Sequence, residues 1–463
     1  MHHHDPATEA LTEAVVRYAV DRIRLDPPPL DAPLPPAELA RRAGPTVTAH
    51  GLGGPEALRV FSEVLAPACI SVDHPRFLSF VPAAPTEASI LFDLVVGASS
   101  IYAGSWLEGA GAVHAENEVL RWLVSLAGLP ASAGGVFVTG GTAGNLSALV
   151  AARHTARRRA GGALDHRRAL ILASSGAHSS IVQAGRVMDA DVVVVPADPR
   201  GHLTGTALRT AVDALDPADI DRLVAVVATA GTTNAGVIDD LAGIADVCAE
   251  LDVWFHVDGA YGGAALVAPS VRPRFAGIER ADSFIVDPHT WLFAPFDSCA
   301  LIYRDPAAAR AAHTQHAEYL EVLHGDGTAD EPWNPSDHAH LLSRRARGLP
   351  LWFSVATHGT DAYRDAVEAT LDTARRAAEL ITATPHTELV IEPELSVVLF
   401  RRIGWGPAEH QAWSDRQLAE GRAFVVPTSW AGETVARICV VNPRTTVDDI
   451  ALVIDSMADT VEG

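Results

Sequence analysis

Three short blocks of this 463-residue sequence carry residue types that could do chemistry. In the first, Val136-Phe137-Val138 runs into Thr139-Gly140-Gly141-Thr142 and then into the apolar-periodic stretch Leu146 to Ala151. A strand that ends in glycines and opens a helix presents bare N–H groups and the positive end of a dipole, which suits a phosphate. Glycine turns of this kind also join strands to helices where nothing binds. The second block, His256-Val257-Asp258-Gly259-Ala260-Tyr261-Gly262-Gly263, sets Asp258 at the end of an apolar strand. A carboxylate there is costly to bury without a cationic or protonated partner. The protonated nitrogen of a pyridine-type ring is one such partner; a strand-end cap or a plain salt bridge are the structural alternatives. The third block is Ala281-Asp282-Ser283-Phe284-Ile285-Val286-Asp287-Pro288-His289-Thr290-Trp291-Leu292, continuing to Pro295-Phe296-Asp297 and Arg304.

All 35 residues in the combined lysine and arginine count are arginine, so the chain has no lysine side chain anywhere. With 57 acidic residues its formal charge is -22, which argues against nucleic acid or an anionic membrane as partner. The only basic runs, 157–159 and 344–347, are short. Cys69, Cys248, Cys299 and Cys439 lie far apart with no paired spacing. That usage predicts a reducing, cytoplasmic setting rather than a disulfide framework or a zinc site, and no metal is expected. The first residues carry Asp5 and Glu9 with no apolar leader core, and no apolar stretch is long enough for a membrane span. His2 to His4 are read as a tag remnant.

The elements that must position these blocks follow from periodicity. Leu11, Val15, Tyr18 and Ile23 have helical spacing over 7–24, and Pro27 to Pro36 reads as a stiff extended connector. From His74 to Asp305 apolar β-branched runs alternate with helical patterns: 136–138, 170–173, 191–195, 223–228, 253–257 and 283–286. Such alternation predicts a mainly parallel sheet covered by helices. A long helix is expected over 360–382. Strands at 397–400 and 436–441, with helices at 409–420 and 447–457, then suggest a separate small α+β unit. No internal repeat is visible.

Together the three blocks resemble the group II pyridoxal-phosphate decarboxylases, the family of the aromatic amino acid, histidine and glutamate decarboxylases. The resemblance extends from His74-Pro75-Arg76-Phe77 to Asn442-Pro443-Arg444-Thr445-Thr446. It implies an α/β chain of the fold-type I (aspartate aminotransferase-like) class, with a mainly parallel seven-stranded sheet and a small α+β C-terminal domain. The expected divisions are 1–73 (N-terminal helix and strap), 74–364 (cofactor-binding domain) and 365–463. The resemblance also implies pyridoxal 5'-phosphate, an amino acid or amine substrate, and a homodimer with active sites at the subunit interface. Carried across by residue, Gly141 and Thr142 would cradle the phosphate and Thr229 would contact the cofactor. Asp258 would face the ring nitrogen, Ala260 would pack beneath the ring and His178 would stack on it. Asp287 and His289 would help fix phosphate and ring. Phe80, Val81 and Ala83 match a wall that contacts the substrate side chain, and Trp106, within 99–118, matches a segment that reaches the neighbouring site.

The sequence departs from the family where the cofactor is normally tethered. The pattern His-Lys-Trp reads His289-Thr290-Trp291, so the position of the Schiff-base lysine holds a hydroxyl with no nucleophilic amine. The loop 321–340 has Trp333 and no tyrosine, where aromatic amino acid decarboxylases carry one. Ser298 and Pro350 are smaller departures. Three functional readings follow. The first is a decarboxylase-like enzyme on this scaffold that works without the lysine in secondary metabolism. It would use pyridoxal or pyridoxamine 5'-phosphate held noncovalently, or no such cofactor, with His178 or His289 as acid-base group and Thr290 at the reacting position. The second is an ordinary aromatic amino acid decarboxylase whose lysine has been replaced by mutation. The third is a non-catalytic subunit that pairs with an active homologue.

Overall fold

The computed structural model describes residues 2–161, 167–323 and 332–458. Positions 324–331 of the loop singled out above lie outside the described residues. The larger sheet has seven strands: β1 (Gly134–Val138), β2 (Leu170–Ser174), β3 (Asp191–Val195), β4 (Leu223–Thr229), β5 (Trp254–Asp258), β6 (Ser283–Val286) and β7 (Cys299–Tyr303). Their order is β1-β7-β6-β5-β4-β2-β3. β6, β5, β4, β2 and β3 are parallel, and β7 runs antiparallel between β6 and β1. β7 is the strand that the alternation of strands and helices does not reveal. It returns directly from β6 with one turn of helix between them, so no long helical pattern announces it.

Central strands β2, β4 and β5 are buried at every position, as expected for parallel strands covered on both faces. Side chains alternate between two apolar layers: Phe284 and Val286 join Phe255 and Trp291 on one face, while Ile285 joins Leu149, Ile171 and Val227 on the other. At the edge, β3 leaves Val193 and Val194 partly in solvent. A second sheet is antiparallel, in the order β10-β11-β9-β8, from β8 (Thr387–Leu389), β9 (Val397–Arg402), β10 (Thr428–Trp430) and β11 (Glu433–Cys439). Helices Pro407–Ala419 and Val447–Asp455 pack on it around Trp413, Phe400, Ile438 and Val453.

Helix Leu349–Ala383 carries the chain from the large sheet to the small one. The pattern over 360–382 captures only its second part, because Gly359 (φ 78°, ψ 161°) interrupts the helical backbone there. Pro350 sits in the first turn, where its missing N–H has no intrahelical partner to lose. Upstream, Arg344 forms a bidentate ion pair with Glu116 (2.7 and 2.9 Å) and donates to Ala103 O, locking helix Trp106–Ala127 to this segment. The N-terminal helix, Pro6–Ile23, is capped by Asp5 and buries none of its residues. The chain stays non-helical through Pro35, then forms a short helix, Pro36–Ala43. Among the described residues no helix is long and apolar enough to cross a membrane.

Candidate active site

The carboxyl ends of β4, β5 and β6 open onto one cavity of about 450 Å³. Parallel sheets place ligand sites at this end because the loops leaving the strands converge there. β1 contributes from the side. After Val138 the chain turns at Gly140, whose φ of 121° is a conformation L side chains rarely adopt, and enters helix Gly141–Arg159. The helix can lie close on β6 because Gly144 has no side chain: a Cβ there would sit 2.9 Å from Ile285 Cγ2 and 3.0 Å from Cys299 Sγ. No side chain caps the helix from Gly140, but Gly141 N–H donates to Asp287 Oδ2 (3.1 Å).

Asp258 ends β5 and is buried. Its Oδ1 accepts from Ala260 N–H (3.1 Å) and its Oδ2 from Asn145 Nδ2 (2.9 Å). Neither partner is charged, so lone pairs remain for a cationic hydrogen bond from the cavity. Asp287 follows β6. Burial pushes its carboxyl up to about 6, against the opposing pull of His289, the Cys299 thiol and the Gly141 amide, and among the described residues its buried Oδ1 has no nitrogen or oxygen hydrogen-bond partner. His289 donates from Nδ1 to Ser298 O (2.7 Å), leaving Nε2 3.7 Å from Asp287 Oδ2. Thr290, in the single turn Pro288–Trp291, donates its hydroxyl to Asp287 O (2.8 Å). The turn is braced from behind by Trp291, stacked on Tyr261 at 5.1 Å. At the end of β4, Thr229 N–H is held by Asp239 Oδ2 (2.7 Å), while Thr229 Oγ1 is buried and unpartnered. His178 caps helix Ser179–Met188, its Nδ1 accepting from Ser180 N–H (3.2 Å).

Phe80, Val81, Gly141, Thr142, His178, Thr229, Asp258, Ala260, Asp287, His289 and Thr290 all line this one cavity, although sequence separations exceed 200 residues. One expected position does not. Ala83 is buried in the wall of an adjoining groove, because the chain turns away from the cavity after Val81. Trp106, expected at a neighbouring site, stands partly exposed at the start of its helix with its backbone N–H on Asn334 Oδ1 (3.0 Å). Asn145, Ser180, Tyr261, Phe296 and Asp297 also line the cavity. Sequence reasoning passed over Asn145 as a polar residue inside an apolar helix; a buried amide in that setting is the signal that could have found it.

This fold, with a glycine turn, a carboxylate and two imidazoles around one cavity, defines an α/β protein of the fold-type I class. The chain belongs to the pyridoxal-dependent decarboxylase family, whose conserved domain it matches over residues 53–403. It is 30% identical over 403 residues to an aromatic-L-amino-acid decarboxylase of Bacillus atrophaeus, covering 84% of this chain and 82% of that protein. To an L-2,4-diaminobutyrate decarboxylase of Rhizobium meliloti it is 33% identical over 401 residues, covering 84% and 78%. Its fold is similar to the crystal structure of Oryza sativa TDC with PLP and tryptamine (TM-score 0.90, 24% identity, 99% of each chain). It is also similar to that of mouse CSAD (TM-score 0.87, 25% identity, 98% of each chain).

The residues present fit the family's cofactor. The buried carboxylate of Asp258 has spare acceptor capacity for a ring N–H, and the orphaned Thr229 Oγ1 is a free hydroxyl in the cavity wall. The helix start at Gly141 offers amides to a phosphate. One of those amides is held by Asp287, whose raised carboxyl can carry a proton and so donate to an anion instead of repelling it.

Proposed function

We propose that this protein is a decarboxylase-like enzyme that acts on an amino acid or amine-derived substrate with pyridoxal or pyridoxamine 5'-phosphate held noncovalently. One observation carries the reading: a chain with no lysine keeps Asp258, His178, His289 and a glycine-opened helix around one cavity. Thr290 stands in the motif where the resemblance expects the tethering lysine, and its hydroxyl is engaged with backbone carbonyl. Gly141, Thr142 and Asp287 would hold the phosphate, Asp258 the ring nitrogen, and Ala260 and His178 the two ring faces. When bound, the cofactor supplies an electron sink for charge that develops next to the substrate nitrogen. The chain's own part is to keep that ring nitrogen protonated through Asp258 and to place His178 and His289 as proton carriers. Loss of a positioned amine costs on the order of 10² to 10⁴ in rate, so turnover would be slow unless an imidazole takes over its proton transfers.

The apolar lining of Phe80 and Val81 suits an apolar or aromatic substrate group. A homodimer is proposed on the exposed Leu91, Leu94 and Val95 of helix Glu87–Ser99 and the exposed Leu107 nearby in sequence, with Trp106 then available to a neighbouring subunit. Light scattering of the purified protein tests it, and a monomer at micromolar concentration would exclude it. The cofactor reading is tested by absorbance titration with pyridoxal phosphate, followed by borohydride and intact mass. Saturable binding that borohydride does not fix to the protein supports noncovalent use. No binding at millimolar cofactor would overturn it.

A further inference from the structure

Behind the cavity, five buried polar side chains form a hydrogen-bond chain whose direction is fixed at the Asp258 carboxylate, which can only accept. Trp254 Nε1 can only donate, and it donates to Ser283 Oγ (2.8 Å). Ser283 Oγ–H can then donate to His256 Nδ1 (2.8 Å). This direction is required from the other end, because the Asp258 carboxylate holds the Asn145 amide nitrogen and leaves Asn145 Oδ1 to accept from His256 Nε2. Burial drives the His256 imidazole well below its ordinary range, so the ring is neutral, and with Nδ1 accepting its proton resides on Nε2. Nε2–H donates to Asn145 Oδ1 (2.8 Å), in the amide orientation that the Asp258 carboxylate sets. The amide nitrogen faces the other way, toward Asp258 Oδ2 and Ser180 Oγ, both at 2.9 Å. Ser180 Oγ, having accepted from Asn145, gives its proton to His178 Nδ1 (2.9 Å). The Ser180 N–H approaches the same nitrogen at 3.2 Å and reinforces its role as acceptor.

We propose that Asn145 is a positioning residue that ties the Asp258 carboxylate and the His178 imidazole into one directed chain, so that His178 offers an Nε2–H to a ligand in the cavity. Asn145 is buried in the helix that opens at Gly141, and among the described residues the two groups are joined through Asn145 and Ser180 and by no direct hydrogen bond. His178 thereby acts as a hydrogen-bond or proton donor toward the cavity and not as a base. The inference rests on the cavity reading only for what that N–H meets. The chain itself belongs to the ligand-free protein.

Protein labelled with ¹⁵N-histidine and free of cofactor tests it at neutral pH, with the His178 resonances assigned by their loss in His178→Gln. The wild type is expected to show the His178 proton on Nε2, with Nδ1 as the acceptor. In Asn145→Ala the Ser180 hydroxyl is free to accept as well as donate, so only the longer Ser180 N–H contact (3.2 Å) still holds Nδ1 as acceptor; the Nδ1–H form becomes partly populated and the two nitrogen shifts move toward each other. Ser180→Ala leaves Asn145 on Asp258 and His256 and keeps the backbone N–H on Nδ1, and by removing the hydroxyl donor it should produce a partial shift of the same sign even if Asn145→Ala does not fold. A wild-type proton on Nδ1, or variants that keep a pure Nε2–H form, would overturn the proposal. Failure of pyridoxal phosphate to bind would leave these spectra unchanged, so the two readings fail separately.

Discussion

Asp287 connects the helix that opens at Gly141 to the end of β6, and its protonation should be visible in stability. Its carboxyl is raised from 3.8 to about 6, chiefly by burial. The folded protein holds this proton more tightly than the unfolded chain does. The group's contribution to stability is therefore fully present below the unfolded value and is lost as pH rises through about 6. A carboxyl raised this far contributes about 3 kcal/mol in full, of which about half is lost between pH 5 and pH 8. Asp287→Asn removes the titration. The amide it introduces has one hydrogen-bond need more than Asp287 Oδ1 now meets, a cost of about 1–3 kcal/mol that does not vary with pH. Urea denaturation of both proteins at pH 5 and pH 8 isolates the titrating part. The difference in unfolding free energy should move in favour of the variant by about 1–2 kcal/mol at the higher pH. The same substitution removes negative charge from beside the Gly141 amide, so pyridoxal phosphate should bind about tenfold tighter or more at pH 8. A stability difference that stays flat with pH, or moves in favour of the wild type, would refute burial as the cause of the raised carboxyl.

Thr290→Lys should place an amine at the cavity wall, and borohydride should then fix pyridoxal phosphate to the protein, read by intact mass; a variant that binds cofactor without fixation would show that position 290 does not face the aldehyde. Asp258→Asn keeps the shape of the site but loses the charged acceptor, and it should weaken noncovalent cofactor binding by about 10- to 100-fold in an absorbance titration. Arg344→Met strands a buried Glu116 carboxylate and should cost about 3–5 kcal/mol in urea denaturation, with part regained in the Glu116→Gln/Arg344→Met double variant.

Much of the fold is legible in the chain because central parallel strands are continuous apolar runs and the helices between them repeat at their own period. Most of the predicted strands appear within a residue or two of their expected ends. β7 escapes because it pairs antiparallel with both neighbours and follows β6 without a covering helix. The long helix is half hidden by Gly359, whose backbone no periodicity records. In the site, Asp258 and the turn at Gly140 stand out because a carboxylate at a strand end and glycines before a helix are local signals. Ala83 falls outside the cavity for the opposite reason: which way a loop turns after Val81 depends on distant packing.

By itself the sequence determines which chemistry is missing. A chain without lysine cannot tether the cofactor through a lysine side chain, whatever its fold. It also determines that strands and helices alternate, since each element carries its own hydrophobic period. Only the tertiary structure decides that Trp254, Ser283, His256, Asn145 and Ser180 form a single chain ending on His178 and Asp258. None of those residues carries a local signal of which polar side chain it will meet. Hydrogen bonds are short and directional, so their partners become known only when packing brings segments more than 100 residues apart to within 3 Å.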